Sequence, residues 1–326
     1  MKLGILGTGM IVKDFLSTID KLDIEEAAIL GTEATRQETE DLAAQYGLNA
    51  CYYDYEEMLK SDINTIYVEL PNFLHYAFAK KALEADKNVI LEKPGTATVK
   101  EFEELKELAI RKDKILIEAM TTHYLPAYIQ LKEDVTKLGE IKIVSVNYSQ
   151  YSSRYDKFKS GEVLPAFDPK KAGGALMDLN VYNLHFVVGI FGKPQSVSYH
   201  ANIERGIDTS GVMILDYKGF KVVCIGAKDC KAPVLSSIQG DKGNLLVHIP
   251  VNQMNSYDWN DNNSGSEHKK FDEGKHRMVY EFQEFIRMIN EHDMEKADKM
   301  LTISLIVSHI IQEGRKQEGI IFGNDK

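Results

Sequence analysis

At 326 residues, the chain is longer than one hydrophobic core usually serves, so two domains are expected. Its formal charge of −10, with no dense Lys/Arg block, excludes a nucleic-acid backbone as the default partner. Apolar residues at 44% and charged residues at 27% exclude a disordered or membrane protein by composition.

The amino terminus enters a strand-like run at once, with no signal-peptide pattern. Lys2 to Leu6 reads as a buried strand, Ile11 to Lys21 as a helix and Glu26 to Leu30 as the next strand. Helical patterns at Thr35 to Tyr46, Phe73 to Ala85 and Val99 to Lys112 then alternate with strand signals at Thr65 to Leu70, Asn88 to Leu91 and Ile115 to Glu118. Such alternation predicts parallel strands joined by right-handed crossovers, hence a doubly wound α/β domain over residues 1–122.

Pro126 can open a helix toward Leu138, after which the periodicity changes. Ile141 to Tyr151, Gln195 to Ala201, Gly211 to Tyr217, Phe220 to Ala227, Val234 to Gln239 and Asn244 to Ile249 read as strands with short turns, which must be largely antiparallel. The polar segment Trp259 to Gly274 reads as exposed loop, and helices return at Arg277 to Asn290 and Leu301 to Gln317. A second domain over residues 123–326, built on a large, mostly antiparallel open sheet, is expected. No run reaches the roughly 18 apolar residues of a membrane span, since Ile303 to Ile311 is short and contains Ser and His. Cys51, Cys224 and Cys230 are odd in number, widely spaced and without a CxxC, which fits free thiols in a reducing cytoplasm.

Gly7-Thr8-Gly9-Met10-Ile11-Val12 follows the first strand and opens the first helix. There Gly7 permits a tight turn and Gly9 leaves room for a pyrophosphate, although Val12 stands where the dinucleotide fingerprint has Gly or Ala. Alone, this turn also fits a methyltransferase nucleotide site or a simple tight turn. Glu33, 24 residues after Gly9, lies just beyond the second strand, where a carboxylate can accept both hydroxyls of an adenosine ribose and favour NAD. Arg36 weakens that discrimination because it can swing toward a 2′-phosphate, so NADP stays open.

Two further strand ends border the same expected crevice: Glu69-Leu70-Pro71-Asn72-Phe73-Leu74-His75 and Glu92-Lys93-Pro94. A cleft-lining Lys93 can hold a substrate hydroxyl and help a neighbouring acid/base lose its proton; on a surface loop it would simply be solvated. Asn72 can cap the following helix, and His75 can satisfy local backbone groups. Later, Gly173-Gly174 precedes a segment in which Asp178, Tyr182 and His185 fall at i, i+4 and i+7, on one side of a helix beginning at Ala175. That face carries chemistry, or it is a partly solvated face at a domain interface. His75, His123 and His185 lie in different elements without ligand spacing, so no metal is expected.

In this order, Gly7-Thr8-Gly9, Pro71-Asn72 with His75, Glu92-Lys93-Pro94, and Gly173-Gly174 with Asp178 resemble the Gfo/Idh/MocA family of oxidoreductases. The resemblance implies a Rossmann domain that binds NAD or NADP through Gly7, Thr8, Gly9, Met10, Ile11, Glu33, Arg36, Pro71, Asn72, His75, Glu92 and Lys93. It also implies a carboxy-terminal sheet that packs against another subunit in a homodimer or homotetramer. Where many members carry His four residues after the acidic residue, this chain has Tyr182, similar to the branch with glucose-fructose oxidoreductase and the dimeric dihydrodiol dehydrogenases. His123 stands where family members often carry Arg, which lessens support for a strongly anionic substrate.

The implied reaction is hydride transfer between a nicotinamide and a secondary alcohol or carbonyl of a sugar, polyol or cyclic diol. Tyr182 is the expected acid/base, Lys93 lowers its pKa and steadies the alkoxide, and Asp178 orients Lys93 or a substrate hydroxyl. His185 is a substrate contact, a proton relay or a second acid/base candidate, and Lys93, His123, Asp178, Tyr182 and His185 form the expected substrate site. The alternatives are a non-catalytic dinucleotide sensor and NAD-assisted glycoside elimination.

Overall fold

The β-branched and aliphatic run at Lys2–Leu6 (β1) is buried from Leu3 onward because strands lie on both sides of it. In the computed structural model, which describes residues 1–271 and 273–325, the elements follow in chain order. They are α1 (Met10–Leu16), β2 (Glu26–Leu30), α2 (Arg36–Tyr46), β3 (Ala50–Tyr52), α3 (Tyr55–Lys60), β4 (Thr65–Val68), α4 (His75–Glu84), β5 (Asn88–Glu92), α5 (Val99–Lys112) and β6 (Leu116–Ala119). All strands pair in parallel, in the order β3-β2-β1-β4-β5-β6, whose reversal between β1 and β4 is the doubly wound topology. On one face Leu6, Val68 and Leu91 pack with Phe102 and Leu105 of α5.

The remaining elements are α6 (Pro126–Val135), β7 (Ile141–Ser149), α7 (Tyr155–Lys159), a π-helical segment at Leu176–Asn180, α8 (Val181–Phe191), β8 (Ser196–Glu204), β9 (Ile207–Tyr217), β10 (Phe220–Ala227), β11 (Ser236–Gly240), β12 (Gly243–Val247), β13 (Ser256–Asp261), β14 (Gly265–Lys270), α9 (Arg277–Asn290) and α10 (Met294–Gln317). Strands β7 to β14 form one sheet in the order β14-β13-β12-β11-β7-β10-β9-β8. Its pairings among the described residues are antiparallel except β7 with β10. The expected fold class, a Rossmann domain beside a large, mostly antiparallel sheet, is what forms.

Three expectations need correction. Residues 276–305 do not belong with the second domain: one compact unit comprises Met1–Ala119 with His276–Leu305, the other Met120–Lys275 with Ile306–Lys326. The reason is the apolar stripe of α9, where Phe282 is fully buried with its ring centre 4.3 Å from Phe15 and 5.2 Å from Tyr67 of β4. The expected loop at Trp259 to Gly274 is largely a hairpin of β13 and β14, whose polar residues suit an exposed edge strand; Asp272 within it, and Lys326 at the end of the expected second domain, lie outside the described residues. Finally, the stretch Pro169–Phe191 is long and apolar enough to cross a membrane, but 78% of its apolar window is buried inside the protein.

Candidate active site

In the first unit, the chain turns from β1 into α1 through Gly7, whose φ of +104° favours glycine. A Cβ at Gly7 would lie 2.5 Å from the carbonyl oxygen of Glu69, and one at Gly9 would lie 2.9 Å from Glu69 Oε2. Only glycines let Glu69 lie this close against the turn, and a glycine turn from a strand into a helix N-terminus is the kind that receives the pyrophosphate of a dinucleotide. Beside it, Thr8 Oγ1 donates to Glu38 and Met10 is exposed, while Ile11 is half-buried.

Glu33 and Arg36, at the start of the segment after β2, bond each other: Arg36 Nε and Nη2 donate to the Glu33 carboxylate at 3.0 and 2.6 Å. Arg36 also lies over the Tyr53 ring, 3.7 Å from its centre. The ion pair holds Glu33 below the usual carboxylate range.

The loops after β4 and β5 are tied together by His75. Its buried ring places Nε2 2.7 Å from the Leu70 carbonyl oxygen and Nδ1 3.0 Å from that of Pro94, and burial lowers its pKa. The ring thus braces the Pro71-Asn72 turn against the Lys93–Pro94 segment, whose peptide bond is cis. Glu92 is buried at 8% exposure; Tyr67 Oη donates to it at 2.6 Å and the Lys93 amide at 3.1 Å. Desolvation raises Glu92 above its ordinary range. Lys93, half-buried, projects from the same segment.

In the second unit, Gly174 has a φ of +107°, and a Cβ there would collide with Asp208 Oδ1. Asp208 Oδ2 accepts bonds from the Leu176 amide at 2.6 Å and Tyr199 Oη at 2.8 Å, so it fixes where the following helical segment begins. The expected uninterrupted α-helix from Ala175 is corrected here: Leu176–Asn180 is π-helical, and i→i+5 bonding widens the turn that carries Asp178. Asn180 and Asn183 anchor it by donating to the carbonyls of Cys224 and Ile225 on β10.

Asp178 Oδ2 accepts from Lys228 Nζ at 2.7 Å. Lys228 is 2% exposed, also donates to the Ala166 carbonyl at 2.8 Å and lies over the Phe167 ring. Tyr182 is 9% exposed and packs near Tyr148, with ring centres 6.0 Å apart. His185, buried on α8, has Nδ1 3.0 Å from Nε2 of the half-buried His123, so one ring donates to the other. Gly189 makes room for this pair, because a Cβ there would lie 2.7 Å from His123 Cε1.

The sequence reading missed Lys228 and Glu69 as site residues. Lys228 carries no local signal, since it reaches Asp178 only once β10 is paired; Glu69 had one, its position directly beyond β4. Among the described residues, no group of three or more His, Cys, Asp or Glu side chains could hold a metal ion.

Residues 1–120 match the model of an oxidoreductase family with an NAD-binding Rossmann fold, and residues 130–246 match the GFO/IDH/MocA C-terminal domain. Scyllo-inositol 2-dehydrogenase (NADP(+)) IolU of Bacillus subtilis is 33% identical, over 100% of this chain and 99% of its own. A trans-1,2-dihydrobenzene-1,2-diol dehydrogenase of Danio rerio is 23% identical over 100% of this chain and 99% of its own. Among solved structures, KijD10, a 3-ketoreductase from Actinomadura kijaniata in complex with NADP and TDP-benzene, is similar with a TM-score of 0.81 at 18% identity, covering 97% of each chain. Levoglucosan dehydrogenase in complex with NADH and levoglucosan reaches 0.81 at 15% identity, over 97% of this chain and 98% of its own. With matches to both halves and a full-length relative at this identity, the chain belongs to the Gfo/Idh/MocA family of NAD(P)-dependent oxidoreductases.

Proposed function

We propose that the protein is a dehydrogenase or reductase acting on a secondary alcohol or carbonyl of a polyol, with a cyclic polyol of the inositol class as the first substrate to test. The observation that carries this reading is Asp178 bonded to buried Lys228 one turn before Tyr182, on a helical segment that also carries His185. The 33% identical relative named for scyllo-inositol supports the substrate class.

The nicotinamide, when bound, supplies the hydride acceptor or donor. Gly7 and Gly9 leave space for its pyrophosphate, and Glu33 and Arg36 face its adenosine ribose. Tyr182 takes and returns the proton of the substrate hydroxyl. Lys93 is the cation of the proposed catalytic set, a charge suited to stabilising an alkoxide oxygen. Asp178, oriented by Lys228, accepts a neighbouring substrate hydroxyl. His123 and His185, bonded ring to ring, are a second pair able to exchange a proton.

The free thiols support a reducing, cytoplasmic location, and the outward face of the large sheet supports association with a second copy. The sensor reading is less favoured, since a pure sensor needs no proton acceptor beside an oriented carboxylate; elimination begins with the same oxidation and is told apart by release of a leaving group without accumulation of NADH.

The test replaces Tyr182 by Phe and Lys93 by Met and follows nicotinamide absorbance with inositols and their keto forms. Each variant is expected to lose about 10²–10⁴-fold in kcat, the usual worth of general acid/base catalysis. Full rates in both would overturn the mechanism, and loss on His185→Asn with Tyr182→Phe unaffected would move the acid/base to the histidine pair.

A further inference from the structure

Glu69 is the carboxylate nearest the cofactor cradle, and the mechanism above leaves it unused. It follows β4 directly, and its Oε2 and Oε1 lie 2.9 and 3.4 Å from where a Cβ of Gly9 would stand. No hydrogen bond from the described residues reaches these oxygens, in contrast to Glu92, which receives two. An ionised carboxylate in this place would sit against the phosphates that the glycine turn admits, and like charges in a desolvated crevice repel strongly. A protonated one would present an O–H donor to the same oxygens.

We propose that Glu69 makes dinucleotide binding proton-linked: its carboxyl, lying against Gly9 in the glycine turn, carries a proton when the cofactor is bound and donates a hydrogen bond to it. This rests on the cofactor reading of the cradle. The surroundings support it. Burial, together with the Glu92 carboxyl, pushes Glu69 up to about 8 against the opposing pull of the Lys93 ammonium. Tyr67, on the strand that precedes it, is a neutral phenol whose pKa is raised by burial and by Glu92, Glu281 and Glu69. From α9, Glu281 acts on Tyr67 and Arg277 on Glu92, and Arg277 is itself paired to Asp14 at 2.8 Å.

The sign follows from linkage. A group that must be protonated to bind leaves affinity constant below its free-protein pKa and weakens it about tenfold per pH unit above. With Glu69 near 8, the Kd for NAD+ is expected to rise about 30-fold between roughly pH 6 and pH 9.5, with uptake of up to about one proton per site at the alkaline end.

The experiment is calorimetric titration of the whole protein with NAD+, which lacks a titrating 2′-phosphate, across this range and in buffers of different ionisation enthalpy. Glu69→Gln, which keeps the shape and a donor, is expected to bind with a Kd that stays flat and with no proton uptake; Glu69→Ala is expected to be flat and several-fold weaker. Identical pH profiles in wild type and Glu69→Gln, or binding without proton uptake, would overturn the proposal alone. No binding of NAD+ or of NADP+ by wild type or variant even at pH 6 would overturn the cofactor reading with it.

Discussion

Arg36 and Glu33 hold each other in an exposed pair, with the Glu33 side chain 75% accessible, so the pair is weakly held and either member is available to a ligand. Glu33 can take the hydroxyls of an unmodified ribose. Arg36, kept in place by the Tyr53 ring beneath it, can instead grip a 2′-phosphate. The sequence placed these two residues correctly at the end of β2 but could not tell that they would engage each other, because that depends on rotamers set by Tyr53 and Glu40 nearby. A protein that uses both cofactors is expected. Arg36→Ala should lower kcat/KM for NADP+ about 10- to 100-fold, the worth of a charged hydrogen bond, and alter that for NAD+ far less. Glu33→Gln should weaken NAD+ preferentially. Equal losses for both cofactors in either variant, read from steady-state rates, would show that the pair does not select between them.

At the scale of elements, legibility followed locality. The βαβ opening, the strand ends at Glu69 and Glu92, and the stripe of α9 could be read because each signal sits within a few residues. The β13–β14 hairpin could not, since Asn260, Ser266, Glu267 and Lys269 carry none of the alternation that a half-buried strand shows. Nor could the side of the molecule to which α9 belongs, which the packing of Phe282 on Phe15 decides. The π-helical turn at Leu176–Asn180 was equally invisible: its start is set by Asp208, a residue 32 positions away from Leu176. Asp208 is fully buried, and desolvation raises it to about 6 from an ordinary 3.8 despite the bonds from Leu176 and Tyr199. A carboxyl raised on folding contributes stability that is present below its unfolded pKa and lost as pH climbs through the folded one, here between about 4 and 6. Asp208→Asn, permanently neutral, should therefore escape this loss. Its unfolding free energy relative to wild type is expected to improve by about 2 kcal/mol on going from about pH 4 to pH 7, measured by urea denaturation. A constant difference across that range would mean that the buried carboxyl does not titrate there.

For the whole molecule, the large sheet of the second unit poses the remaining physical question. Its inward residues, among them Val144, Val146, Val222, Cys224, Met213 and Leu215, are buried at or near 0%. The outward ones on the same strands would then be expected to be polar if water were their permanent neighbour. Not all are: pairing sets Val223 beside Ile214 and Ile225 beside Val212 on adjacent strands, with the exposed Ile143 on the neighbouring β7, among the polar Lys221, Asp216, Ser145 and Asn147 of the same face. A contiguous aliphatic patch at the centre of an open sheet favours covering by another protein surface. The proposed association with a second copy of the chain would meet this need by two-fold symmetry, with the patch facing itself. Composition gave no hint of this, because alternating Val and Ile in a strand reads the same whether the outer face meets solvent or a partner. A charge at the centre of the patch tests it. Ile225→Asp points outward, so the fold should persist with an unchanged circular dichroism spectrum, while sedimentation velocity should shift from dimer or tetramer to monomer. The cost of desolvating an unpaired carboxylate within such an interface is several kcal/mol, enough to shift association by a factor of 100 or more, roughly. A variant that sediments as the wild type does, or a wild type that sediments as a monomer, would rule out association through this face.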